Sequence, residues 1–189
     1  MYPDHELIAK INAGNLHAFR LLVSMHERLV QRMVAQIVKD EDDQKDVCQE
    51  VFIKVYKNLK HFKQESKLST WIAQIAYTTS LDFVKKTKRK QDLMNEVESY
   101  EHQLATDGGP EKELSNKEMR TFVQQMVEAL PENYRLVVNL FHIDEYSYQE
   151  IADITGLPEG TIKSHLFRAR KLLKDKLVSL SPQNGRTQI

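Results

Sequence analysis

Apolar residues recur at three- and four-residue spacings through most of the 189-residue chain, and nowhere alternate with polar ones over a strand length beside a hairpin turn. That period belongs to amphipathic helices, so an all-α fold is expected. A short helix over about residues 4–13 stops at Gly14 and Asn15. A long one, about 16–38, turns Phe19, Leu22, Val23, Leu29, Val30, Met33 and Ile37 inward. After the acidic turn KDEDD, a third helix over about 42–59 carries the stripe Val47, Val51, Phe52, Val55 and Leu59. A loop, 62–68, ends at Ser69, a good N-cap, and a fourth helix runs to about 88, burying Leu68, Ile72, Ile75, Ala76 and Phe83.

The pattern weakens from 92 to 115, where a Gly-Gly-Pro break sits among acidic residues. Residues 92–116 therefore read as a flexible linker, with a transient helix near 92–104 as the one element it could hold. Helical spacing returns over about 117–129, and Pro131 starts a helix to about 142. The last residues, 181–189, read as a loose tail. The expected organisation is two small helical domains, 1–91 and 117–180, joined by the linker.

The most specific stretch is YQEIADITGLPEGTIKSHLFRARKLL, residues 148–173, which reads as a helix-turn-helix. Ser147 with Glu150 three residues on is a capping box. Ile151 and Ile154 face inward, Gly156 supplies a left-handed turn, and Pro158 suits the start of a second helix. In that helix Ile162, Leu166, Ala169, Leu173 and Leu177 form one apolar stripe, while Thr161, Ser164, Arg168 and Lys171 lie on the other side. Phe167 also projects away from the stripe. Beside Ser164 and Arg168 it could touch a thymine methyl, and Arg168 could bind a guanine edge through two hydrogen bonds. From 161 to 177 there are six Lys or Arg against one Asp, which favours phosphates. The plain alternative is a basic surface helix with Phe167 packed on a neighbour.

Net charge is zero, which at first argues against a nucleic-acid binder. Its distribution corrects this: residues 1–90 carry sixteen Lys/Arg against eleven Asp/Glu, 91–118 two against eight, and 119–189 nine against eight. Cys48 is the only cysteine, which excludes an internal disulfide and fits a reducing cytoplasm. No apolar run approaches the ~20 residues that span a bilayer, and the N-terminus has no secretory pattern. The seven histidines form no metal-ligand pair, and phosphate-loop, dinucleotide and nucleophile-elbow motifs are absent. No enzyme, cofactor or metal is expected.

Three further constellations stand out. Asp46, Gln49 and Glu50 lie opposite the Val47–Val51–Val55 stripe, as a solvated helix face or a docking surface for a basic partner. The loop FKQESKLSTW, 62–71, combines polar side chains with an aromatic at a helix start. Such a loop can hold an unstacked base, although by residue physics alone an ordinary helix connection with Trp71 in the core is favoured. Lys85, Lys86, Lys88, Arg89 and Lys90 suit either phosphate binding or a solvated, dipole-complementing helix end.

In order, DVCQEVFIKVY, HFKQESKLSTWIAQIAYTTSLDFVKK, an acidic linker and LPENYRLVVNLFHIDEYSYQEIADITGLPEGTIKSHLFRARKLLK resemble the extracytoplasmic-function (ECF) group of bacterial sigma factors. The similarity runs over roughly residues 6–177. It implies a non-catalytic initiation subunit that binds core RNA polymerase through the clamp helices of the largest subunit and the flap of the second-largest. Asp46, Gln49 and Glu50 would make the clamp contact. Phe62, Lys63, Gln64, Ser66, Lys67, Trp71, Thr78 and Lys85 would hold the single-stranded −10 element. Tyr148, Gln149, Glu159, Thr161, Lys163, Ser164, Phe167 and Arg168 would bind the −35 duplex. The linker would thread toward the active-site and RNA-exit region, and many relatives are held by an anti-sigma factor. The chain departs from the family where Thr78 replaces a frequent asparagine, where Lys63-Gln64 replaces an Arg-Gly-like pair, and where His165 replaces a frequent basic residue. The competing reading is a helix-turn-helix regulator that binds duplex operators without polymerase, with 1–90 as sensor or dimerisation domain. A helical adaptor is the third.

Overall fold

The computed structural model describes residues 3–94 and 116–180, and their side chains over 3–89 and 121–179. Every regular element among the described residues is helical. In order they are α1 (Asp4–Asn12), α2 (Leu16–Ala35), α3 (Glu41–Asn58) with a 3-10 turn at Leu59–His61, α4 (Leu68–Met94), α5 (Asn116–Glu128), α6 (Glu132–Val138) with a wider turn at Asn139–Ile143, α7 (Tyr148–Thr155) and α8 (Glu159–Leu180). They divide into two units, α1–α4 carrying the first and α5–α8 the bulk of the second. Residues 95–115 of the expected linker and the tail, 181–189, lie outside the described residues.

In the first unit α2, α3 and α4 pack on one another and α1 lies against α2. Leu7, Leu22, Val30, Met33, Val47, Val51, Val55, Leu59, Leu68 and Ile72 are buried to 2% exposure or less. Each large side chain contributes about 1.5–3 kcal/mol on leaving water. Phe19, Val23, Leu29, Phe52, Ile75 and Phe83 are only half-buried. They border the core rather than fill it. Two starts have explicit caps. The Asn15 side chain accepts the Ala18 N–H, and Asp40 Oδ1 accepts those of Asp42 and Asp43.

Several expected boundaries move. The long second helix ends at Ala35, and Ile37 and Val38 instead tuck their N–H groups onto the Val34 carbonyl and bury their side chains. Ser69 is not an N-cap. The helix already begins at Leu68, whose side chain is buried, and the Trp71 N–H donates to the Lys67 carbonyl. The fourth helix runs on to Met94, past the expected end near 88. In the second unit α6 packs on α8, and Val137, Val138, Leu140, Ile151, Ile162, Leu166 and Ala169 are buried. The helix expected to reach 142 keeps its length, but its last turn widens. The Asp144 N–H bonds the Asn139 carbonyl, five residues back. The apolar stripe of α8 closes early, with Leu173 half-buried and Leu177 47% exposed.

His26 of α2 carries a testable consequence. Its ring is partly buried and Nε2 has no hydrogen-bond partner among the described residues. Burial holds its pKa below the usual imidazole value, and the nearby Asp4 carboxylate offsets this only in part. The unfolded chain therefore takes up the proton first as pH falls. Stability is expected to be full above the unfolded imidazole pKa and to decline as pH drops through it toward the lower folded value. Urea unfolding between about pH 7.5 and 5.5 checks this. The decline should shrink in His26→Gln, and an unchanged pH profile in that variant would contradict it.

Candidate nucleic-acid interface

Local bonds set the turn between α7 and α8. The Ser147 hydroxyl and N–H donate to Glu150 Oε2 at 2.8 and 2.9 Å, and the Glu150 N–H donates to Ser147 Oγ at 3.2 Å. This is the reciprocal box expected from the sequence. Gly156 takes φ +73°, a region that strains any side chain. Pro158 sits one residue outside the helix rather than at its first position, with its carbonyl accepting from Thr161 and Ile162. Ser147→Ala is expected to cost about 0.5–2 kcal/mol, read as a lower urea midpoint for the second unit. An unchanged midpoint would show that the box does not hold the entry to α7.

With Ile162, Leu166 and Ala169 buried, the opposite face of α8 presents Lys163, Ser164, Phe167, Arg168 and Lys171 to solvent. Phe167 is 69% exposed, so it is not packed on a neighbour among the described residues. No described residue pairs with the Arg168 guanidinium. The Ser164 hydroxyl donates to the Thr161 carbonyl at 2.8 Å, which leaves its oxygen free to accept. Thr161 and Glu159 are half-buried, and Gln149 is exposed at the start of α7. Tyr148 stacks flat on Phe141, centroids 4.9 Å apart at 8°. Lys163 Nζ stands 5.3 Å from the Tyr148 ring centroid and 3.2 Å from Glu159 Oε2. His165 is not on the open face; it packs edge-on against Tyr134 at 5.3 Å. This face offers a forked donor, an apolar ring and a cation together, the set that reads base edges in a major groove.

The first unit holds the other two groups. Asp46, Gln49 and Glu50 are all exposed on α3, opposite the buried valines. Glu50 pairs with Lys54 at 2.9 Å, and Lys54 donates to Thr79 Oγ1 on α4 at 3.2 Å. Ile53, 53% exposed, extends this face by one turn. Sequence inspection passed over it, although its seven-residue offset from Asp46 was a usable signal. Cys48 is half-buried, and burial pushes its thiol pKa up, away from thiolate chemistry.

At the loop, Phe62 and Trp71 pack with centroids 5.1 Å apart at 39°, both half-buried. Trp71 is thus not wholly in the core. Lys63, Gln64 and Lys67 are exposed and Ser66 is half-buried. Gln64 takes φ +59°, a left-handed geometry that glycine adopts without cost. Trp71, Thr78 and Lys85 are seven residues apart, so they follow one face of α4. The Thr78 hydroxyl donates to the Gln74 carbonyl at 2.9 Å. Lys85, Lys86, Lys88 and Arg89 are exposed toward the helix end. Among the described residues no group of His, Cys, Asp and Glu is placed to hold a metal.

Known proteins match both halves. The Sigma-70 region 2 family model matches residues 22–90, and the Sigma-70, region 4 model matches 123–173. The chain is 34% identical over 184 residues to the ECF RNA polymerase sigma-E factor of Escherichia coli strain K12, covering 94% of this chain and 95% of that protein. The Haemophilus influenzae ECF RNA polymerase sigma-E factor is 32% identical over 183 residues, covering 94% of this chain and 96% of that protein. A solved complex of CnrH with the cytosolic domain of CnrY shares the fold at TM-score 0.64 and 23% identity, covering 94% of this chain and 99% of that one. The sigma factor RpoE bound to the anti-sigma factor NepR, from Bartonella quintana, shares it at TM-score 0.62 and 20% identity, covering 86% and 98%.

Proposed function

The chain belongs to the ECF group of RNA polymerase sigma factors, and from that membership we propose which residues perform each part of its work. As a sigma factor it binds core RNA polymerase and promoter DNA and directs transcription initiation.

Residues 1–91 form the domain that docks on core enzyme and holds the −10 element, 117–180 form the −35 domain, and 92–116 link them. In the second domain α8 enters the major groove. Arg168 donates two hydrogen bonds to a guanine edge and Phe167 meets a thymine methyl or sugar. Lys163, Ser164, Thr161 and Glu159 line the same groove, and Tyr148 and Gln149 approach phosphates. The observation that carries this is the open Phe167–Arg168 pair on the second helix of a helix-turn-helix whose first helix is capped by Ser147 and Glu150. Phe167 has the largest exposure among the large apolar side chains described, and one residue on stands a guanidinium with no described partner, so an apolar contact and a forked donor are both open to a base edge.

In the first domain the loop with Phe62, Lys63, Gln64, Ser66 and Lys67, backed by Trp71, captures an unstacked base, while Thr78 and Lys85 track the strand along α4. Unstacking costs a few kcal/mol and each stacking contact returns ~1–3 kcal/mol, so captured bases move the equilibrium toward the open state. Asp46, Gln49 and Glu50 dock on the clamp helices of the largest polymerase subunit, and the second domain meets the flap of the second-largest. The chain performs no covalent step of its own and works in the cytoplasm. No described helix is long and apolar enough to cross a membrane. An anti-sigma factor is the regulator we assign to it.

A gel-shift comparison tests the division of labour. Specific promoter binding should require core polymerase, because neither small domain has surface enough for tight binding alone. Tight, specific duplex binding by the free chain would favour a polymerase-independent regulator.

A further inference from the structure

We propose that Glu159 is a positioning residue for −35 specificity, acting by holding the Lys163 ammonium away from phosphates and toward the base edges. The inference rests on the −35 assignment of α8 made above and deepens it.

Two contacts converge on Lys163, and a third fixes one of its partners. Glu159, one helical turn earlier, places Oε2 3.2 Å from Nζ. The face of Tyr148 lies 5.3 Å from the same ammonium. That ring is itself fixed by flat stacking on Phe141, centroids 4.9 Å apart at 8°. The Lys163 and Glu159 side chains remain 55% and 43% exposed, so the ammonium is restrained without being buried. Arg168 and Lys171, the other cations of this face, have no such carboxylate among the described residues.

Lysine is a point charge on a flexible stem, and alone it follows the nearest phosphate, a contact that positions but carries no sequence information. A carboxylate and an aromatic face on two sides narrow its rotamers and reduce its net charge as DNA approaches. The restrained ammonium can then serve best where a base edge supplies acceptors. Glu159 lowers overall attraction and raises discrimination.

The test uses the full chain in holoenzyme, on duplexes carrying a −35 sequence selected by this protein and a scrambled copy, across a salt series. Glu159→Gln is expected to tighten binding to the scrambled duplex roughly threefold to tenfold at low salt and to steepen the log–log salt dependence by about 0.9, one additional phosphate contact. The ratio of selected to scrambled affinity should fall. In a Lys163→Gln background the same change should have little effect on the slope, since its target is gone. If Glu159 reads a cytosine amino group directly, preference falls at one base pair and the slope is unmoved, which overturns the proposal. Equal effects with and without Lys163 overturn it too, as they would mark general charge repulsion. Should Lys163→Gln alone change neither slope nor selectivity, Lys163 makes no contact for Glu159 to position and this proposal is overturned, while Arg168→Ala in the same assay tests the −35 assignment separately. If Lys163→Gln acts but Glu159→Gln does not, only this proposal fails.

Discussion

Replacing Arg168 with alanine is expected to lower initiation from a selected promoter by roughly 5- to 150-fold, the equivalent of losing one bidentate base contact worth about 1–3 kcal/mol. The side chain is exposed and no described residue pairs with it, so truncation leaves the α8 core of Ile162, Leu166 and Ala169 untouched. The loss should therefore appear in promoter affinity and in selectivity at one base pair, with an unchanged unfolding midpoint. Adding Ser164→Ala should deepen it. Transcript yield from matched and mismatched −35 templates measures the effect. Normal yield from the double variant would remove α8 from promoter recognition and favour a helical adaptor.

The second large effect concerns assembly. Asp46→Ala combined with Glu50→Ala should weaken core-polymerase binding by at least about tenfold, because removing one side of a desolvated charge pair leaves the partner's charge unpaired and costs several kcal/mol. The same change should barely alter the fold. Both residues are exposed, and the Glu50–Lys54 pair, at 52% and 37% exposure respectively, is of the kind worth under about 1 kcal/mol. Co-purification of tagged chain with sigma-free core enzyme reads the first quantity and urea unfolding the second. Undiminished co-purification would show that this face of α3 is only solvated. Ile53, on the same face, allows a graded follow-up, since Ile53→Ala removes apolar area without changing charge.

Much of this architecture could be read from residue order because local rules and burial agree. Ser147 and Glu150 are three apart, Gly156 stands where the backbone turns left-handed, and the stripe from Ile162 to Ala169 has only one way to face a core. The exposed Phe167 was visible as a departure from that stripe. Other features depend on tertiary context. Nothing in the spacing shows that Leu177 lies past the end of its packing partners, because periodicity records which face is apolar and not how far a neighbour extends. Ser69 resembles a cap, yet the helix starts two residues earlier than that cap would place it, at the buried Leu68. The widened turn at Asn139–Ile143 and the left-handed Gln64 leave no mark in residue type, since glutamine rarely adopts that geometry. The grip on Lys163 escaped notice for a different reason. Tyr148 and Phe141 come from neighbouring segments, and their stacking is set by how α7 follows the wide turn rather than by any spacing on α8.

The central claim is that one helical domain reads duplex and the other holds opened strand, both on core polymerase. Run-off transcription with sigma-free core enzyme and this chain, on a library randomised across the promoter region, addresses it most directly. Two conserved blocks at a fixed separation are expected among the transcribed templates, the upstream one blurred by Arg168→Ala and the downstream one by changes in the Phe62–Lys67 loop. Transcripts without sequence selection, or none from any template, would contradict it.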